Sequence, residues 1–230
     1  MCKRLVVILM FFCAFAFALE LEEKVKICGV CGNVVRVTTV VSANTFGSMD
    51  LDLRPAPERR DTLKYQIELC RNCGYCWPDI GKERKRESIA QVLNAPLKFD
   101  DLAALFARAA EIEIATNQGA SFASFMLYMK AAWAEDDAKN DDEAKKYRRQ
   151  AVEQMTKYME ADQTARITPD NYLIQIDAAR RCGDFELAEK LLKTATPMAN
   201  AGLLRKILVF QKRLIERKDA GRYTVADADI

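Results

Sequence analysis

Cys28-Gly29-Val30-Cys31-Gly32 and Cys70-Arg71-Asn72-Cys73-Gly74 are two copies of one motif, CxxCG. Two intervening residues let both sulfurs of a tight turn point at one ion. A glycine after the second cysteine allows the positive φ of that turn and lets backbone N–H groups approach the sulfurs. Two such knuckles close a tetrahedral site of four thiolates, with Zn–S near ~2.3 Å. The spacing therefore predicts one structural Zn2+ held by Cys28, Cys31, Cys70 and Cys73.

The chain between the knuckles fits a small β domain. Val34 to Val41 is rich in β-branched residues and reads as a strand. Leu63 to Leu69 alternates, with Leu63, Tyr65, Ile67 and Leu69 on one face, and reads as a second strand. Arg54-Pro55-Ala56-Pro57 must be loop. Strands carrying knuckles at their ends describe a zinc ribbon over residues 19–82. Its core is small, so the metal contributes much of its folding free energy.

Two other uses of these cysteines stay open. In an exported chain they can pair as disulfides. Cys70, Cys73 and Cys76 form a CxxCxxC run that could exchange thiols with a substrate. Pro78 and Gly81 interrupt the next stretch of chain, however, and no second βα unit appears, whereas the redox motif belongs in a βαβ setting. Cys76 and Cys182 read as buried spare thiols, with a ligand or redox role for Cys76 left open.

Outward from the ribbon, residues 1–18 read as a secretory signal peptide. Lys3 and Arg4 precede an unbroken apolar run from Leu5 to Leu19, and Ala16-Phe17-Ala18 fits a small-x-small cleavage site. A spanning helix needs about 20 apolar residues, so the run is short for an anchor. Cleavage after Ala18 predicts a periplasmic or extracellular protein. If the segment is uncleaved, it is an N-terminal anchor and the chain's one membrane contact. Phe11-Phe12 before Cys13 lack the small residue of a lipoprotein site.

Composition narrows the chemistry. The chain has 230 residues, with 35 basic and 33 acidic side chains, 30% charged overall and no histidine. The absence of histidine removes Ser–His–Asp triads, Cys–His couples and histidine metal ligands. The charge balance argues against a protein that coats nucleic acid. Lys82-Glu83-Arg84-Lys85-Arg86 lies near Tyr75 and Trp77, but it reads first as the solvated start of a helix.

From about Glu83 the spacing turns helical. Leu102, Leu105, Phe106, Ala109 and Ile112 make one apolar stripe; Phe122, Phe125, Met126, Met129 and Trp133 make another. Ala144, Tyr147, Ala151, Met155 and Tyr158 continue it, followed by Ala188, Leu191, Leu192 and Ala195, then Leu203, Ile207, Phe210 and Leu214. Thr168-Pro169 marks a helix start and Gly183-Asp184 a stop followed by a start. Ser121, Asp141 and Asn200 are further candidate caps. Tyr128, Ala134, Ala144 and Ala151 recur 44 residues later as Tyr172, Ala178, Ala188 and Ala195. The segment from Ala178 to Ala195 resembles the middle of a tetratricopeptide repeat, although the usual period is about 34 residues. The expectation is an α+β protein, mostly α: a β zinc ribbon, an irregular tetratricopeptide-like array of antiparallel helices over 83–218, and a flexible tail, 219–230.

The order of these parts resembles the bacterial family catalogued as domain of unknown function 2225. The resemblance rests on the first knuckle, Asp50-Leu51-Asp52-Leu53-Arg54-Pro55, the Cys70-x-x-Cys73-Gly74-Tyr75 knuckle, Ala131-Ala132-Trp133 and the Gly183-Asp184 helix pair. It covers about residues 26–217 and implies a zinc ribbon joined to tetratricopeptide-like helices, with no established activity. Cys76 departs from the family, which more often has a small residue there, and so does the signal peptide.

Four thiolates close a metal site, which marks it as structural rather than catalytic. Asp50 and Asp52 read as a salt bridge or loop brace beside Arg54. Glu135-Asp136-Asp137 and Asp141-Asp142-Glu143 read as a solvated acidic turn. No Gly-rich phosphate loop is present. The expected function is a non-enzymatic interaction or scaffold module, with a protein partner in the groove of helices from about Asp100 to Glu216. The alternative is an exported thiol–disulfide redox protein using the CxxCxxC cysteines.

Overall fold

The computed structural model describes residues 19–161, 167–199 and 202–229. The stretch expected to be a signal segment, with its expected cleavage site, and the expected Asn200 cap lie outside them. The fold is α+β and mostly α. Among the described residues no helix is long and apolar enough to cross a membrane.

Strands β1 (Glu20–Ile27) and β2 (Val34–Ser42) form an antiparallel hairpin, with Lys24 opposite Val37 and Ile27 opposite Val34. The first knuckle is the turn of that hairpin. The second knuckle is the turn of a smaller one, β3 (Glu68–Leu69) against β4 (Cys76–Trp77). The β2 strand matches the β-branched run. The long strand expected over Leu63–Leu69 does not form. Leu63–Tyr65 is a turn of 3-10 helix, and only Glu68–Leu69 is extended. Leu63 and Ile67, four apart, both turn inward, and Glu68 is buried to meet Lys26. Alternation over so short a stretch describes a compact turn equally well.

Helix α1 (Pro57–Arg60) and α2 (Ala90–Asn94) are single turns. The helical body is α3 (Leu102–Asn117), α4 (Phe122–Asp137), α5 (Asp141–Ala161), α6 (Pro169–Arg181), α7 (Phe185–Ala195) and α8 (Gly202–Glu216). Each packs on the next in sequence, as the short turns between them require. The caps satisfy orphan backbone donors. Ser121 and Ser124 form a reciprocal box, Thr168 accepts from the Asn171 amide, and Asp184 accepts from the Leu187 amide. Asp141, expected as a cap, is instead the first residue of its helix. The apolar stripes face the core, apart from Leu203, which is exposed.

One core runs through both parts without a break at residue 82. Tyr75, Trp77, Ile80 and Ile89 belong to the same buried cluster as Phe106, Met129 and Trp133. The seam is fastened by ions. Asp52 accepts from Arg181 Nη1 at 2.6 Å, from Trp133 Nε1 at 3.0 Å and from the Arg54 amide at 3.2 Å. Asp136 accepts from Arg148 at 2.5 Å and from Arg181 Nη2 at 2.8 Å. Arg54 reaches Asp137 at 2.5 Å. The 50–54 loop is thus bolted to α4, α5 and α6. Two expectations are corrected here. The acidic turn is not merely solvated, because Asp136 is half-buried and accepts from Arg148 and Arg181. The Asp52 brace is long-range, because only the backbone of Arg54 serves it.

The flexible tail is also corrected. Thr224 bridges Asp50, the Leu51 amide donates to Tyr223 O, and the Val225 amide donates to Met49 O. Arg180 Nη1 donates to the carbonyls of Asp219 and Gly221 at 2.5 and 2.8 Å. Residues 219–229 therefore fold back along α8 and close the 49–51 loop. Nothing in their composition signals this, because the partners are backbone groups.

Asp50 gives the seam a pH dependence. Burial, and then the negative charge of Asp52, push its carboxyl up to about 6, although Arg60 donates to it at 2.7 Å. A carboxyl whose pKa is raised by folding binds protons more readily in the native state. Its share of stability is therefore full below about 4 and is lost as pH rises through about 6. Asp50→Asn is expected to flatten this decline. Chemical denaturation from pH 4 to 7 checks it: an unchanged slope overturns the assignment.

Candidate metal centre

Each knuckle is built by the same backbone pattern. In the first, the Cys28 amide donates to Asn33 O at 2.8 Å and the Gly32 amide to Cys28 O at 2.9 Å. In the second, the Cys70 amide donates to Tyr75 O at 2.8 Å and the Gly74 amide to Cys70 O at 2.9 Å. Gly32 and Gly74 have φ of +71° and +74°, the left-handed turn that the motif calls for. Gly29 serves a different need. A Cβ there would collide with the Lys82 carbonyl, so only glycine lets the first knuckle dock on the 79–84 turn.

The four Sγ atoms all lie within 4.8 Å of one another. The short pairs cross between knuckles, Cys28–Cys73 at 3.8 Å and Cys31–Cys70 at 3.6 Å. Ligands about 2.3 Å from a tetrahedral centre stand about 3.8 Å apart. The cluster could therefore hold a metal ion. Cys28 and Cys70 are buried, while Cys31 and Cys73 are partly open.

Burial pushes the thiols of Cys28 and Cys73 up. At Cys31 burial also opposes ionisation, but the Asn72 amide at 3.5 Å, the Asn33 backbone and neighbouring thiols outweigh it and bring the thiol to about 6. A bound cation is the charge that lets such a set ionise together.

Around the cluster the chain is pinned by polar contacts. Lys26 Nζ bridges Glu68 Oε1 and Asp79, each at 2.9 Å. Glu68 in turn accepts from the Ile80 amide at 2.8 Å. Arg108, buried in α3, donates to the carbonyls of Leu93, Ala95 and Pro96 and lies beside Gly74. Sequence reading missed this support. A lone arginine in an apolar helical stripe is its only sequence signal.

Cys76 and Cys182 stand apart from the cluster. Both are buried, and their thiols donate to Leu105 O and Ala179 O, each at 3.2 Å. Burial raises both and takes Cys76 to about 12, so Cys76 is held as a thiol. Tyr75 and Trp77 are buried too, so they offer no stacking platform beside the basic run. Lys82 and Arg84 lie over the Trp77 ring, and Arg84 pairs with Glu113. The run is a turn leading into the 3-10 helix Arg86–Ile89, not the start of an α-helix. No family model, curated protein or solved structure matches the chain.

Proposed function

We propose that the chain is an exported, non-enzymatic interaction module in which a zinc ribbon closes one end of a tetratricopeptide-like helical array. The observation that carries this reading is the donor set. Four sulfurs fill a tetrahedral shell and leave no ligand position for a reacting group, which is the mark of a structural site. Zinc suits four thiolates better than the oxygen-seeking divalent ions. The 44-residue recurrence supports the repeat. Tyr128 and Tyr172, Ala134 and Ala178, Ala144 and Ala188, and Ala151 and Ala195 are all buried, in the successive pairs α4–α5 and α6–α7.

The partner is proposed to lie along the helices, in a groove between α5, α6 and α7 lined by Met159, Tyr172, Gln175, Leu187 and Leu191. Its apolar floor and polar rim suit a peptide or a partner helix. The test uses the full chain, because the ion bolts tie the helices to the ribbon. Leu191→Asp, expressed in the native host, is expected to lose the partners crosslinked by the unaltered chain while keeping its metal. Unchanged partners, or a covalent partner trapped by Cys76→Ser, would overturn the reading, the latter in favour of thiol exchange.

A further inference from the structure

The β1–β2 hairpin stands on the protein with one face and one edge uncovered. Every residue of β1 except Lys26 is exposed. The register sets Leu21 beside Val40, Glu23 beside Thr38, Val25 beside Arg36 and Ile27 beside Val34 on one face. There Val25, Ile27 and Val34 are 69%, 65% and 64% exposed. β2 is the inner strand, since Val37 is buried and β2 touches the turn at Leu63–Tyr65. β1 is the outer strand, and a two-stranded sheet with an open edge is marginal alone and ready to pair.

We propose that β1 pairs antiparallel with β1 of a second copy of this chain, making a four-stranded sheet across a two-fold axis at Glu23. The strand is complementary to itself in that register. Glu22 meets Lys24 of the other copy, and Glu20 meets Lys26. Leu21 meets Val25, and Leu19, just ahead of the strand, meets Ile27. Opposite charges and apolar pairs directly across a ladder stabilise it. Moving the axis to Lys24 keeps only the Glu22–Lys26 charge pair and sets Glu23 against Val25. Moving it to Glu22 keeps only Glu20–Lys24 and sets Leu21 against Glu23. The chosen register carries one unfavourable pair, Glu23 against its copy. Lys26 already holds Glu68 and Asp79, whereas Lys24 and Glu22 pair with each other at 3.0 Å within one chain through exposed side chains that can exchange partners across the axis, so the Glu22–Lys24 pairs carry most of the selectivity. The two-fold axis keeps the apolar faces on one side, where they form a continuous surface. The interface is separate from the helical groove and does not depend on it.

Sedimentation equilibrium of the full metal-bound chain tests the idea. A concentration-dependent dimer is expected. Glu22→Lys sets like charges together twice across the axis and is expected to weaken the dimer about tenfold. Adding Lys24→Glu to it restores opposite charges and is expected to restore the dimer. Both positions are exposed, and bound metal with unchanged helical content shows that each variant is folded. A monomer at the highest soluble concentration overturns the proposal, as does a dimer indifferent to Glu22→Lys or one that the double variant fails to restore. A monomer that binds lipid vesicles overturns it too and gives the apolar face to a membrane.

Discussion

Chelation under reducing conditions is expected to release one zinc ion per chain and to unfold both knuckles. A structural zinc site of this kind contributes about 10 kcal/mol or more. A whole domain has only about 5–15 kcal/mol of stability. The β1–β2 hairpin has little else, since in its two strands only Val37 is buried. The loss is expected to stop at the seam. β4 rests on α3 through Cys76 and Leu105, and the Asp52 and Asp136 bolts hold the 50–54 loop to α4, α5 and α6 without the metal. Hydrogen exchange should therefore show β1, β2 and both knuckles open while α5, α6 and α7 stay protected. Cys28→Ser and Cys70→Ser should reproduce the pattern. A metal-free native protein with Cys28–Cys31 and Cys70–Cys73 oxidised would sink the prediction.

Replacing Asp52 with alanine is expected to cost about 3 kcal/mol, because Arg148 and Arg181 are left to share Asp136 and the buried indole of Trp133 loses its acceptor. The variant strips an acceptor from Arg181 and from Trp133 Nε1, both buried. Asp52→Asn keeps an oxygen for the indole and should cost less. Urea unfolding measures both, and a loss below about 1 kcal/mol for the alanine variant would show that the cluster is not a fastener. Acid should loosen the same seam. Burial works against the charge of Asp136, but Arg148 and Arg181 outweigh it and hold its carboxyl below the usual range. Its stabilisation is therefore present above the ordinary carboxylate pKa of about 3.9 and is lost as pH falls through the lowered value.

The four-cysteine cluster was legible because its signal is local. Two residues between cysteines and a following glycine fix a turn whatever surrounds it. That is why Gly32 and Gly74 adopt the same φ in two unrelated stretches of chain. The helices were legible for the same reason. Stripes such as Phe125, Met129 and Trp133 repeat at the helical period, and Ser121, Thr168 and Asp184 cap within their own turn. The strand expected over Leu63–Leu69 failed where local signals are weakest, in a stretch too short for its period to separate a strand from a turn. Strand β1 was hidden because an exposed strand needs no apolar alternation on its outer face.

The sequence alone determined the four-cysteine cluster, the mostly helical class, the helix starts at Ser121, Thr168 and Asp184 and the buried fate of Cys76 and Cys182. Each comes from contacts within a turn or from a period along one element. Only the tertiary structure decided that buried Asp52, Arg148 and Arg181 and half-buried Asp136 form a fastener, that residues 219–229 return to the 49–51 loop, and that ribbon and helices share one core. Those outcomes depend on charges and backbone groups brought together across the chain, Asp52 to Arg181 and Asp50 to Thr224. A charge looks the same in sequence whether it meets water or an arginine, and only burial makes its partner matter.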